Sequence, residues 1–212
     1  MLFSEEWLRS VVNPDLTSKE LDDAMTMAGL EVESCTPIAP AFTGVVVAEV
    51  VDCVDHENSD HLHVCKVNVG GPDLLQIVCG APNVKTGVKV PCAMIGAVLP
   101  GDFKIKKAKM RGVESFGMLC SSRELGINED HQGLWILPAD APVGMDIREY
   151  AKLDDKRFEI KLTPNRGDAL SIIGVARDVH AVTGAELHMP EFKTLEPTCE
   201  CVKPVHIEAP DL

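Results

Sequence analysis

Apolar residues in the first forty positions recur every three or four residues, the spacing of helices that bury one face. Residues 4–12 (SEEWLRSVV) predict a helix that Ser4 caps. Its apolar face comprises Trp7, Leu8, Val11 and Val12. A second helix is predicted to begin at the capping-box pattern of Thr17 and Glu20 and to end at Gly29. The sequence LEVESC that follows predicts a short strand.

From about Thr43 the spacing of apolar residues changes to two, which is the period of β-strands. Five or six short apolar runs follow, separated by Gly, Pro, Asn and Asp, a pattern typical of small closed barrels. We therefore predict an oligonucleotide-binding (OB) type barrel over residues 40–150. The alternation breaks after Ile105, which is out of phase with the apolar positions that follow it. A β-bulge at Lys106 and Lys107 would restore it.

After residue 150 the pattern is mixed. The sequence RFEIKLTPNRGDALSIIGVARDVHAVTG predicts a strand, a turn and a helix, with Asp168 near the N-cap and Gly184 just past the end. The segment LTPNRGDALS is interpreted as a turn and helix cap, because it lacks the glycine spacing and the Lys-Ser/Thr pair of a phosphate-binding loop. The first forty residues have too small a core to fold alone, so we expect them to pack with residues 151–190.

Together these patterns predict the α+β class, with an OB-type β-barrel inserted into a small discontinuous α+β domain. The split domain comprises residues 1–39 and 151–190, and the barrel comprises residues 40–150. Residues 191–212 begin a new pattern, which we interpret as the truncated start of a further domain. Acids at positions 5 and 6 and the lack of a long apolar run argue against a signal peptide and a membrane span, so we expect a cytoplasmic protein.

The charge is distributed unevenly. The formal net charge is −13, yet six Lys or Arg residues and a single acid lie between Lys104 and Arg123. Each cation placed against a phosphate releases condensed counterions, so this stretch predicts local binding of an anionic polymer. A lysine-rich edge strand that merely prevents sheet-to-sheet association would show the same charge.

The segment RGVESFGMLCSSRELG favours binding of an anionic polymer over a protective edge strand, because it adds serine hydroxyls, apolar platforms and glycines to the cations. Aromatic residues are only 4% of the chain, so backbone and shape contacts should outweigh base stacking. The predicted RNA-contacting residues are Lys104, Lys106, Lys107, Lys109, Arg111, Ser115, Met118, Ser121, Ser122 and Arg123.

The remaining motifs indicate structural roles. His61, His63 and Cys65 alternate along one side of a predicted strand, which is compatible with a metal site, but a turn with exposed histidines, His56 included, is favoured. The eight cysteines are scattered and are interpreted as core thiols in a reducing compartment. Cys79 has no base nearby in sequence, and the spacing of Cys199 and Cys201 is poor for zinc. We predict no catalytic residue and no metal ligand.

Three segments carry a resemblance to a known family. VVVAEVVDCVDHENSDHLHVCKVNVGG, IVCGAPNVKTGVKVPCAMIGAVLPG and KIKKAKMRGVESFGMLCSSRELG resemble the tRNA-binding barrel of bacterial phenylalanyl-tRNA synthetase β subunits, methionyl-tRNA synthetase extensions and free tRNA-binding proteins. The flanks SEEWLRSVV, MTMAGLEVES and LTPNRGDALSIIGVARDVHAVTG resemble the split domain around the barrel of the β subunit. Glu57 departs from the family, which tends to have Pro there.

The resemblance implies a longer subunit that pairs with a catalytic α subunit as α2β2 and attaches phenylalanine to tRNA(Phe) with ATP and Mg²⁺. Residues 1–212 would bind tRNA and perform no chemistry themselves, with no cofactor of their own. Two alternatives stay open at this stage. One is a free-standing tRNA-binding module or export-type chaperone, and the other is a structural subunit-contact module.

Overall fold

The computed structural model describes residues 1–129, 132–196, 198 and 203–208. In chain order the elements are β1 (Leu2–Ser4), α1 (Glu5–Val11), α2 (Ser18–Met27), β2 (Glu31–Pro37), β3 (Thr43–Asp55), β4 (His63–Asn68), β5 (Leu75–Cys79), β6 (Lys89–Leu99), β7 (Phe103–Lys104), β8 (Ala108–Met110), β9 (Val113–Ser115), β10 (Gly117–Leu119), α3 (Ile147–Tyr150), β11 (Lys156–Lys161) and α4 (Ile172–Thr183). The mixed content confirms the predicted α+β class.

The two ends of the described chain share one hydrophobic core. Strand β11 lies between β1 and β2 in a three-stranded antiparallel sheet. The core of this region includes Leu8 of α1, Met25 of α2, Phe158 of β11 and Val179 of α4, all fully buried. Residues before the barrel therefore complete their core with residues that follow it. The exact domain boundaries stay a prediction.

Local capping defines the helix ends, as the sequence predicts. The Ser4 side chain accepts the Trp7 amide at 3.0 Å, and Thr17 and Glu20 form a reciprocal capping box. Gly184 ends α4 with a φ of 73°, in the left-handed region that favours glycine. The prediction for Trp7 is wrong, because its side chain is 57% exposed. Trp7 lies outside the buried face of α1, which packs against the sheet.

The central part of the chain forms a strongly curled sheet with strand order β10-β6-β3-β4-β5, and β7 pairs with β6. Register shifts within β3, at Thr43/Val45 and Val50/Asp52, bend this 13-residue strand. The two ends of the sheet meet where the Phe116 amide donates to the Gln76 carbonyl oxygen at 2.9 Å. This geometry is compatible with the predicted OB-type barrel.

The break in alternation near Lys106 has a different cause from the one predicted. Strand β7 ends at Lys104, and Ile105 still exchanges backbone hydrogen bonds with Gly96 and Ala97. Strand β8 begins at Ala108 and pairs with β9 in a separate two-stranded sheet. The predicted β-bulge is therefore wrong, because the chain leaves one sheet and enters another.

Asp168 lies near the N-cap of α4, as the sequence indicates, but does not form the cap itself. The cap is Ser171, whose hydroxyl oxygen accepts the Gly174 amide at 3.0 Å. Asp168 lies in a short 3-10 turn, Gly167–Ala169, and accepts hydrogen bonds from Arg166 at 3.0 and 3.1 Å. These bonds lower the pKa of the Asp168 carboxyl. Arg166 also contacts Asp178 of α4, so it fastens the turn to the helix.

Among the described residues no helix is long and apolar enough to cross a membrane, and the longest, α4, has 12 residues.

Gly174 provides a stability test of this packing. A Cβ atom there would overlap the Asp168 carbonyl oxygen and lie 2.9 Å from the Ala169 Cα atom. Gly174→Ala should therefore lower the free energy of unfolding by about 1–3 kcal/mol, the usual cost of overpacking. Helix propensity alone predicts a gain of about 1 kcal/mol. Urea denaturation measures the sign, with exposed Arg177→Ala on the same helix as the control. A stabilised variant would contradict the packing of the 3-10 turn on α4.

Candidate nucleic-acid interface

A tight hairpin joins β8 to β9 at the edge of the barrel. Arg111 and Gly112 occupy the two turn positions, with φ values of 43° and 96°. Two consecutive positive φ values define the type I′ turn that matches the twist of a two-residue hairpin. Gly112 adopts this geometry freely, whereas Arg111 is held in it against its intrinsic preference.

The loop before β4 holds the hairpin tip in place. The His56 Nδ1 atom accepts the Asn58 amide at 3.0 Å, so the proton lies on Nε2, which donates to the Met110 carbonyl oxygen at 3.2 Å. The Arg111 guanidinium donates to the Asn58 carbonyl oxygen at 3.1 Å. His56 is only 3% exposed, so the expectation that all these histidines are exposed is wrong for it. His56 therefore links the loop before β4 to the hairpin.

The predicted cations do not share a single face. Lys109 lies opposite Glu114 in the hairpin register, and Lys107 forms an ion pair with Glu114 at 2.7 Å. Lys107 also lies over the Phe116 ring, 4.9 Å from its centroid. Lys104 instead pairs with Val98 along β6. Lys104, Lys106 and Lys109 are exposed and have no ion pair within the described part of the chain.

A cleft of about 430 Å³ brings together three other predicted residues. Met118, Ser121 and Arg123 line it, and Met110 of the hairpin contributes a wall that the sequence analysis did not assign to the site. Because side chains alternate along β8, Met110 points away from the face that carries Lys109. The cleft and the lysines therefore form two adjoining surfaces.

Two of the predicted serines are buried and have structural partners. The Ser115 hydroxyl accepts the Val78 amide at 3.1 Å and donates to the Gly117 carbonyl oxygen at 3.0 Å. The Ser122 hydroxyl donates to Asn128 Oδ1 at 2.7 Å. Their exposures are 1% and 7%. Neither hydroxyl is accessible to RNA in this structure, because both are buried and hydrogen-bonded within the protein.

Cys65, Cys79 and Cys92 are buried in the core of this region. Cys65 is fully buried, and its Sγ atom lies 3.8 Å from that of Cys53 on the facing strand. Burial raises the pKa of Cys92 to about 12 and also raises that of Cys79, which keeps both as thiols. No group of three metal-binding side chains occurs among the described residues. Cys199 and Cys201 lie outside them.

Comparison with known proteins relates this region to tRNA-binding domains. Residues 45–146 match the family model "Putative tRNA binding domain". The phenylalanine–tRNA ligase beta subunit of Chromobacterium violaceum is 61% identical over 209 residues, which are 99% of this chain and 27% of that protein. Nearly the whole chain is thus similar to one part of a phenylalanine–tRNA ligase beta subunit. The beta subunit of Aromatoleum aromaticum is 57% identical over 211 residues. The chain spans about a quarter of the length of these beta subunits.

Among solved structures, a MetRS related protein from Pyrococcus horikoshii aligns with 49% of this chain and 87% of that chain. The identity is 23% and the TM-score is 0.36, too low to support an argument beyond this overlap. The beta-subunit relatives extend over the whole described chain, including the sheet and helices that flank the barrel. They therefore agree with the resemblance in both the barrel and its flanks.

Substitution of Ser115 tests its structural role in the barrel. Ser115→Ala leaves the buried Val78 amide without its acceptor and should lower the free energy of unfolding by about 1–3 kcal/mol. Chemical denaturation measures this loss, and Thr86→Ala in an exposed turn serves as the control. An unchanged free energy of unfolding would contradict a hydrogen bond at the closure of the barrel.

Proposed function

We propose that the chain is the tRNA-binding part of a phenylalanine–tRNA ligase beta subunit and contacts tRNA(Phe) through the β8–β9 hairpin and its surroundings. The observation that carries the proposal is the match of residues 45–146 to a tRNA-binding family, a range that includes the dense run of exposed cations from Lys104 to Arg111. The proposed contacts are Lys104, Lys106, Lys107, Lys109, Arg111, Met118, Ser121 and Arg123. Ser115 and Ser122 are set aside because both are buried.

Electrostatics supports a local contact rather than a broad one. A chain with a net charge of −13 repels a polyanion over most of its surface. Lys104, Lys106 and Lys109 project into solvent, where each can approach a phosphate and displace counterions. The Glu114 carboxylate neutralises part of the charge of Lys107, so we expect Lys107 to contribute less than the other three.

The remainder of the proposed activity belongs to the whole enzyme. Activation of phenylalanine with ATP and Mg²⁺ is assigned to a catalytic α subunit in an α2β2 assembly in the cytoplasm. In this view residues 1–39 and 151–190 form a frame around the barrel of residues 40–150, and residues 191–212 lead into a further domain. The shared core of the two flanking segments supports that division.

A structural subunit-contact role is the second candidate. Ile95 on β6 and Phe103 on β7 are 51% and 58% exposed, and exposed apolar side chains can also bind another protein surface. A barrel used only for subunit contact would have no affinity for tRNA in isolation.

Charge reversal tests the first candidate. The triple variant Lys106→Glu, Lys107→Glu, Lys109→Glu should bind labelled tRNA(Phe) more weakly and with a flatter salt dependence. Each lost phosphate contact removes about 0.7–0.9 from the slope of log affinity against log salt concentration. Fluorescence anisotropy at several salt concentrations measures both quantities.

The matched control has the same change in net charge at Lys19, Lys161 and Lys193, which lie outside the barrel. It should retain most of the salt slope of the original chain. If both triple variants lose affinity and slope equally, net charge rather than the hairpin governs binding. An original chain that does not bind tRNA would overturn the proposed function and favour subunit contact.

A further inference from the structure

The cleft beside the hairpin lies where three separate parts of the barrel meet. Its walls come from the end of β5, from β10 and from the turn at residues 121–124, and Met110 projects into it from the hairpin. At about 430 Å³ it is at the small end of the range of pockets that hold small organic groups. It has room for one unstacked nucleobase rather than for a duplex.

The apolar walls suit the face of an aromatic ring. Met110 and Met118 line the cleft together with Leu62. Thioether groups pack favourably against aromatic rings and adapt to their position. Two methionines can therefore hold a base in a chain that has few aromatic residues for stacking.

The rim carries a directional hydrogen-bond acceptor. The Glu124 Oε2 atom accepts the Ser121 amide at 2.7 Å and the Ser121 hydroxyl at 2.8 Å. These two bonds orient the carboxylate, while Oε1 accepts no hydrogen bond within the described part of the chain. An ionised carboxylate oxygen accepts only, with two lone pairs, so it selects a partner that presents donors.

We propose that this cleft binds one unpaired guanosine of an RNA, with the base between Met110 and Met118 and its N1–H and N2–H groups donating to Glu124. Guanine is the base whose Watson–Crick edge presents two adjacent donors, whereas uracil presents a single donor between two carbonyl acceptors. The inference rests on the proposed RNA-binding function and adds a base preference to it. The positive groups beside the cleft, Arg123 on its lining and Arg111 next to Met110, suit the flanking phosphates.

Methionine methyl NMR provides a direct test with the 212-residue chain. A nine-nucleotide RNA of uridines with one central guanosine should shift the methyl signals of Met110 and Met118 upfield, because a base placed on them adds its ring current. The signal of Met27, which is 87% exposed on α2, serves as the internal control and should not move. A nine-uridine RNA should produce much smaller shifts.

Affinity measurements on variants separate the walls from the carboxylate. Met110→Ala should weaken binding of the guanosine RNA by about fivefold or more, the lower end of the effect of losing one stacking contact, and should leave the all-uridine RNA nearly unchanged. Met27→Ala is the matched control. Glu124→Gln keeps an oxygen for Ser121 but should reduce the preference for guanosine over uridine.

The outcomes separate the guanosine site from the proposed tRNA-binding function. Salt-dependent binding of tRNA(Phe) with unmoved Met110 and Met118 methyls, or with equal affinity for the two nine-nucleotide RNAs, overturns the guanosine site and leaves the proposed function standing. Absence of any RNA binding overturns both. Guanosine monophosphate alone should bind only in the millimolar range, and tight binding of the free nucleotide would overturn RNA as the source of the base.

Discussion

The closure between β5 and the β9–β10 segment is the constraint on which the binding surface depends. The sheet path ends at β5 on one side and at β10 on the other, and few polar bonds join them. The Ser115 hydroxyl accepts the Val78 amide, and the Phe116 amide donates to the Gln76 carbonyl oxygen. The Gln76 side-chain amide donates to the Glu114 carbonyl oxygen. Because buried polar groups must find partners, this closure places the hairpin and the cleft relative to the barrel.

The charges show how an acidic protein can present a cationic surface. The cations are grouped on a short hairpin and its approach, where they face solvent, and the hairpin tip is fastened by His56 and Arg111 rather than left free. One acid, Glu114, lies among them and forms an ion pair with Lys107. The lysines therefore form a surface that adjoins the cleft, and of the cations only Arg123 lines the cleft itself.

The frame around the barrel depends on contacts between distant parts of the sequence. Strand β11 completes a sheet with β1 and β2, and the N-terminal amine of Met1 also contacts the Ile160 carbonyl. Arg166 fastens the turn before α4 to Asp178 within that helix. The two flanking segments share one core, and the chain passes between them and the barrel near residues 38 and 155, where the Ile38 amide donates to the Asp155 carbonyl oxygen at 3.1 Å.

Sequence alone determined the features that depend on near neighbours: the Ser4 cap, the capping box of Thr17 and Glu20, the Gly184 end of α4 and the alternating strands. These require hydrogen bonds three or four residues apart or a simple period of side chains, and the family motif added the barrel type. Tertiary structure decided which polar residues are exposed. Ser115, Ser122 and His56 look like surface groups in the sequence but are buried. Val78 and Met110, tens of residues away, supply the partners of Ser115 and His56, whereas Ser122 donates to the nearby Asn128. Met110 joins Met118 for the same reason, since only the folded hairpin carries it to the cleft.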